Sequence, residues 1–507
     1  MPLFLRVFLF VSVLCMNADA KVSIDQKSLH VRAFSAPMSL DWTGQVTIAD
    51  APLVVNLSEG LFSFEYPAEK LMPELASSVK KSKDLTEYTF QIRADAKWSD
   101  GRSIYAQDFV DAWQRLLSPQ STSIYSYYLF DIVNAREYYS KKIISFDDVG
   151  IHATHDKTLV VKFKHPEANW EATTAFWPLF PVRKDLIEKF GNNWWRAGTL
   201  ISSGPFVFSS YELGKNAILK RNPYYRKTPS NISEIEMDFI LDREEALKKY
   251  KEKFFPFIQG IPFEKYNNDK DFHPIPLLRH FVVAFNSERF PYNNKFFRLA
   301  ILSSIDRNQL MPKEYTQFSK ATSLIPPALF TTNEDLSVPY NPAKAKEYLE
   351  KSGVVLGKDF KISFMTGLGE PFYGISKKIA SQIESTLKIN VEVLAFKNQE
   401  FETFSNLGEY NMLMISWTAK VRSAKDFLFP YSTSYMGANN RTHYNSEEYD
   451  HAIETGDFKK AQLIIEKDNA VIYPLFFEKT GFLSSPQVKN LYFDHRGLPL
   501  LKDIVIK

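Results

Sequence analysis

The sequence predicts an α/β protein of two or three domains. Three observations lead there. The chain has 507 residues, whereas one hydrophobic core rarely serves more than about 250–300. Beyond residue 270, strand-like apolar runs alternate with amphipathic helical stretches, the pattern of an α/β unit with a mixed sheet. No internal repeat or low-complexity linker separates the blocks, so short chain crossings rather than flexible tethers are expected between domains.

Composition narrows the class. Hydrophobic residues make up 45 % and charged residues 24 %, as in ordinary soluble domains. The net charge of +3 is far from the basic excess of a nucleic-acid binder, so nucleic acid is excluded as a partner. Aromatic residues reach 15 %, mostly Phe and Tyr, enough to line apolar clefts as well as fill cores.

Residues 1–20 read as a cleavable signal peptide. Arg6 precedes an apolar run over 7–16 that is too short to span a bilayer, and Ala18-Asp19-Ala20 supplies the small-x-small cleavage pattern. The sole cysteine, Cys15, lies inside this segment. The exported chain would then lack disulfides, thiolate metal sites and Cys nucleophiles. Lipid attachment at Cys15 is the rival reading; Val13-Leu14 before it, in place of small residues, argue against it.

Along the chain, Val46-Thr47-Ile48 and Leu53-Val54-Val55 read as short strands. Tyr88-Thr89-Phe90-Gln91-Ile92-Arg93 alternates apolar and polar residues, and Asp100-Gly101 marks a tight turn. A helix is expected over 106–117, because Phe109, Val110, Trp113, Leu116 and Leu117 share one face. Residues 149–163 read as two strands around His155-Asp156-Lys157, and 185–190 as a short helix closed by Gly191. Ser203-Gly204-Pro205 turns the chain into further strands at 206–208, 219–222 and 235–241, followed by a helix from Arg243. Strand 281–285 then leads to a helix over 294–304, a second helix from Asp306, and a third opened by Asn341-Pro342 and ended by Gly353. Strands at 360–364, 391–394 and 410–416 surround a helix over 373–387.

Catalytic signatures are missing: no G-x-S-x-G, H-E-x-x-H, Walker loop or helix-opening G-x-G-x-x-G occurs. His152 and His155 lie in a strand-and-turn stretch without a third ligand nearby, so they read as a surface pair. No enzyme activity, metal or cofactor is expected.

One ordered set of motifs carries a resemblance. Tyr88-Thr89-Phe90-Gln91-Ile92-Arg93, Lys97-Trp98-Ser99-Asp100-Gly101 and Ala106-Gln107-Asp108-Phe109 are followed by Ser203-Gly204-Pro205-Phe206, Leu219-Lys220-Arg221-Asn222-Pro223-Tyr224-Tyr225 and Ile305-Asp306-Arg307. Over roughly 40–500 the chain resembles the oligopeptide-binding members of family 5 of the bacterial extracellular solute-binding proteins. The resemblance implies a two-lobed periplasmic binding protein fold with a hinge, and an extra domain inserted in the discontinuous lobe. Lobe I would comprise 21–60, 181–270 and 479–507, the extra domain 61–180, and lobe II 271–478, with hinge crossings near 270 and 478. It also implies a monomeric periplasmic component of an ABC importer, closing on oligopeptides and delivering them to an inner-membrane permease.

The resemblance further places ligand contacts on Ser416, Trp417, Thr418 and Ala419, where an extended ligand would pair with the chain. The family motif "G-W-x-A-D" ends in an Asp that holds a peptide's α-ammonium. Here that position is Lys420, which accepts no hydrogen bond and repels an ammonium. The family's upstream Arg aligns with Met414, Arg422 adds another cation, and Asp426 and Glu400 are candidate replacement carboxylates. Phe401 stands where relatives have a Trp, and Tyr125 and Tyr128 resemble a segment that contributes a pocket tyrosine. Three ligand classes stay open: an oligopeptide with a free N-terminus, a reversed or N-blocked peptide, or a non-peptide or anionic ligand held by Lys420 and Arg422. A solvated loop is the structural alternative for the two cations.

Overall fold

The computed structural model describes residues 27–507 except 45, 228–229, 312, 314 and 436–439. The expected signal peptide and Cys15 lie outside the described residues. Three larger sheets organise the chain. The first runs, in spatial order, Lys27–Ala33, Ile232–Phe239, Asn216–Arg221 and Phe206–Glu212, parallel only between its first two strands. The second is antiparallel: Ala76–Lys81, Glu87–Ile92, Thr158–Lys162 and Ile151–His155. The third is mixed: Phe257–Gln259, Ile472–Ser484, Phe272–Phe285, Met412–Thr418, Lys361–Gly367 and Asn390–Phe396.

The first two sheets share one apolar core. Leu29 and Leu219 of one sheet join Phe90 and Leu159 of the other in a single cluster with Trp113, Trp170 and the C-terminal Leu501 and Ile504. The segment 61–180 therefore has its own sheet but packs into the first lobe's core. The mixed sheet carries a separate core on each face. Phe281, Val283 and Met412 face helices Lys295–Ser303 and Phe372–Leu387, while Val282, Leu413 and Ile472 pack with Phe427, Tyr449 and Ile465.

Two long antiparallel strands, Phe272–Phe285 and Ile472–Ser484, join the lobes. Ile275, Leu277 and Phe482 pack in the first lobe's core, whereas Phe281 and Tyr473 belong to the second's. Their register is regular to Pro276–Lys479 and resumes at His280–Phe477. Leu277, Leu278 and Arg279 thus oppose the single residue Glu478, a bulge that interrupts the ladder between the lobes.

Three sequence expectations change. Val46-Thr47-Ile48 forms no strand: the Asp50 carboxylate accepts the Thr47 N–H at 3.0 Å and its hydroxyl at 2.6 Å, turning the chain into the helix that follows. Leu53-Val54-Val55 lies in helix Ala51–Leu57, not a strand. Pro52 sits in its first turn, and Leu53, Val54 and Leu57 are buried, so packing overrides β-branched propensity. The helix expected from Asp306 is a single 3₁₀ turn, Arg307–Gln309, with the Asp306 carboxylate accepting from the Asn308 N–H at 3.0 Å.

The strongest motif block proves to be a structural knot. Asp108 accepts hydrogen bonds from the Trp98 indole at 3.1 Å, the Tyr105 backbone N–H at 2.8 Å and the Arg102 guanidinium. This ties the turn to helix Ala106–Leu117. Gly101 adopts φ +88°, which a side chain rarely does. At Gly204 a Cβ would lie 2.8 Å from the Leu57 carbonyl carbon, so the Ser-Gly-Pro turn needs the missing side chain.

Candidate ligand-binding site

Strand Met412–Thr418 pairs along its whole length with Phe272–Phe285, from Phe285–Met412 to Arg279–Thr418. On its other edge it meets Lys361–Gly367 only at Phe364–Met412 and Met365–Leu413. Among the described residues, the outer edge from Met414 to Thr418 has no strand partner. Burial follows the same break: Met412 to Met414 are buried, and Ile415 to Thr418 half-buried. Ser416, Trp417 and Thr418 therefore present unpaired backbone at the cleft, the geometry that β-augmentation requires.

Side chains fix this strip. The Arg279 guanidinium donates to the Ser416 hydroxyl at 3.0 Å and pairs with Glu478 at 3.0 Å. Trp417 packs with Ile415 and Phe401 in one apolar cluster and meets Tyr435 edge-on at 6.5 Å. Its indole N–H is buried without a partner among the described residues. Ala419 is buried, and its N–H donates to the Leu278 carbonyl at 2.9 Å, ending the ladder.

Lys420 follows. Its ammonium lies 5.3 Å from the Trp417 ring centre, and no hydrogen bond or ion pair engages it among the described residues. Burial pushes its pKa down to about 8; Asp426 opposes the fall, while Arg496 and Arg279 add to it. Asp426 does not reach the ammonium: its carboxylate accepts the Lys420 backbone N–H at 2.6 Å and the Tyr128 hydroxyl at 2.5 Å. Glu400 is exposed, and its carboxylate turns to the Lys397 N–H at the start of helix Asn398–Asn406.

The first lobe contributes the facing wall. Arg496 donates to the Lys420 carbonyl at 3.1 Å, lies 4.6 Å from the Trp177 ring centre, and pairs with Asp494 at 2.5 Å. Tyr125 is one layer back: its ring meets Phe176 and Trp177 edge-on and its hydroxyl donates to Val46, so it backs the wall rather than facing the cleft. A cavity of about 80 Å³ between the lobes is lined by Lys420, Arg422, Arg496, Lys502, Glu59 and Glu74, among others. Its acids are already matched. Glu59 accepts from Tyr225 at 2.5 Å and Arg226 at 2.8 Å. Burial pushes the Glu74 carboxyl up, but Lys502, Arg226 and Lys227 outweigh it and hold it at about 2. Among the described charged residues lining this cavity, Lys420 is the one without an ion-pair partner.

Of the candidate residues, the structure gathers Ser416, Trp417, Thr418, Ala419, Lys420 and Phe401 on the second lobe, with Tyr128 reaching across from the first. Arg422 lies beside them, but its guanidinium is taken by Glu69 at 2.5 Å. Arg279 and Arg496 complete the site, although nothing in the sequence distinguishes them from other arginines.

Comparison with known proteins decides the family. The model described as "Bacterial extracellular solute-binding proteins, family 5 Middle" matches residues 70–439. The chain belongs to this family. It is thus a solute-binding protein and not an enzyme, and it carries the family's two-lobed fold. It is 26 % identical over 483 residues to the periplasmic murein peptide-binding protein MppA of Escherichia coli, covering 90 % of this chain and 88 % of that one. The oligopeptide-binding protein OppA of Bacillus subtilis is 27 % identical over 457 residues, covering 83 % and 82 %. The probable deoxycholate-binding periplasmic protein YgiS of Escherichia coli is 26 % identical over 473 residues, covering 86 % and 85 %. Among solved structures, Escherichia coli MppA superposes with a TM-score of 0.79 at 23 % identity, over 95 % of this chain and 99 % of that one. The unliganded open form of MppA superposes less closely, at 0.73. Among the described residues no helix is long and apolar enough to cross a membrane.

Proposed function

We propose that this solute-binding protein works in the periplasm as the capture component of an ABC importer. Its ligand is extended and peptide-like, and the ligand end beside Lys420 is a carboxylate or another anion rather than a free α-ammonium. The observation that carries this reading is the unmatched Lys420 ammonium next to the unpartnered Trp417 indole N–H. A ligand oxygen can accept hydrogen bonds from such donors, and an α-ammonium cannot. The open edge at 414–418 supports an extended ligand, because backbone pairing gives affinity without reading side chains. Contacts made with both lobes would favour closure.

A second reading replaces the peptide with a non-peptide anion held by the same ammonium. The similarity to a protein named for deoxycholate favours it, since that relative is as close as those named for peptides. Calorimetry with matched peptides tests the anionic end. An N-succinylated peptide should bind at least about tenfold more tightly than its free-amine form, and Lys420→Asp should invert the order. A free-amine peptide that binds best to the unmodified protein and ignores Lys420→Asp would overturn the proposal. Mass spectrometry of molecules released on denaturing the purified protein separates the two readings: a peptide mixture supports the first, one defined non-peptide anion the second.

A further inference from the structure

The charged residues that follow Lys420 are engaged, and their partners lie on the other lobe. Arg422 pairs with Glu69 at 2.5 Å. The Lys425 ammonium stands 2.8 Å from both Asp131 and Glu167. Two residues at the buried centre of this contact, Tyr128 and Asp426, share a 2.5 Å hydrogen bond. Next to it the Tyr127 ring stacks on Phe429, with centres 5.4 Å apart and planes at 17°, and meets Tyr435 edge-on at 4.7 Å. Every partner numbered 69–167 belongs to the first lobe, and every one numbered 422–435 to the second. In the ion pairs the acids are on the first lobe and the cations on the second.

We propose that residues 422–429 form a latch that keeps the empty protein mostly closed. The ion pairs are only partly exposed, so solvent screens them less than pairs on an open surface. Opening also strips the buried Asp426 of its phenol donor. A ligand must therefore wait for the latch to open, and its apparent affinity is set partly by that equilibrium.

The test uses ligand-free protein, so it is independent of the ligand class proposed above. Protein is unfolded, freed of bound molecules and refolded. Spin labels go on Ile144→Cys in the first lobe and Val355→Cys in the second, positions 96 % and 88 % exposed. Pulsed electron resonance then measures the distance between lobes. At low salt the unmodified protein should show one dominant short distance. Lys425→Glu, which sets a third acid beside Asp131 and Glu167, should shift the closed-to-open ratio by about tenfold or more toward a longer distance. Arg422→Gln should shift it in the same direction by less, and molar salt should do so in the unmodified protein. Adding Glu167→Lys to Lys425→Glu should restore the short distance, which a merely misfolded variant would not. A long distance in the unmodified empty protein, or variants and salt that leave the distribution unchanged, would overturn the latch.

Discussion

At Lys420 the chemistry is that of an ammonium forced to lose water. Below about pH 8 it carries its charge, and an anionic ligand raises its proton affinity. Affinity for such a ligand is therefore expected to be level near neutrality and to fall by up to about tenfold per pH unit above roughly pH 8; calorimetry across this range checks it. In the empty protein the sign reverses. The folded value lies below the unfolded one of 10.5, so the unfolded chain binds more protons between the two, and stability rises with pH in that window. At pH 7 the full cost of the buried charge is present, and Lys420→Met should stabilise the empty protein by on the order of 1–2 kcal/mol in urea titrations. Glu466 behaves oppositely. Burial raises its carboxyl to about 8, with one oxygen accepting the Leu324 N–H at 2.9 Å and the other lacking a partner among the described residues. The folded protein holds this proton while the unfolded chain has lost it, so stability declines as pH rises from about 4.5 to 8. Glu466→Gln should remove that decline, gaining on the order of 2 kcal/mol at pH 8 and little at pH 4.

The helix Ala106–Leu117 and the turn before it show which elements a sequence reveals. Asp108 holds three donors from residues at most ten positions away. Asp108→Ala leaves the buried Trp98 indole without an acceptor and the partly exposed Arg102 without its nearest carboxylate, and should cost about 2 kcal/mol by urea denaturation. Because the knot is local, its residues form a compact motif, and the fold was legible from it. The candidate site was legible only at its strand: the Trp417 motif names Ser416 to Lys420 and nothing facing them. Lys425 finds its acids 294 and 258 positions away, and the Lys420 carbonyl finds Arg496 76 positions away. No periodicity or spacing records such pairs. Arg422 read as a ligand-binding cation because its sequence neighbourhood is basic, whereas its charge is balanced by Glu69 from the other lobe. Leu53-Val54-Val55 misled for another reason: β-propensity is a weak preference, and burial of one helical face outweighs it.

For the whole molecule, separate cores joined by two strands imply separable stability. The first lobe's apolar cluster takes in Val421 from the cleft segment of the second lobe but otherwise stays apart from that lobe's two clusters, so calorimetry of the empty protein should resolve two transitions. Only the second-lobe transition should move with Glu466→Gln. With the latch in place, ligand should compact the protein little at low salt and visibly at high salt, read as a change in radius of gyration by small-angle scattering. The open edge at 414–418 has one more consequence. An unpaired strand edge templates any extended chain, including another copy of the same protein. The strip that makes capture unselective is thus also a site for unwanted self-association, exposed most when the lobes part. Holding the empty lobes shut would protect the protein from aggregation during the time it spends without cargo.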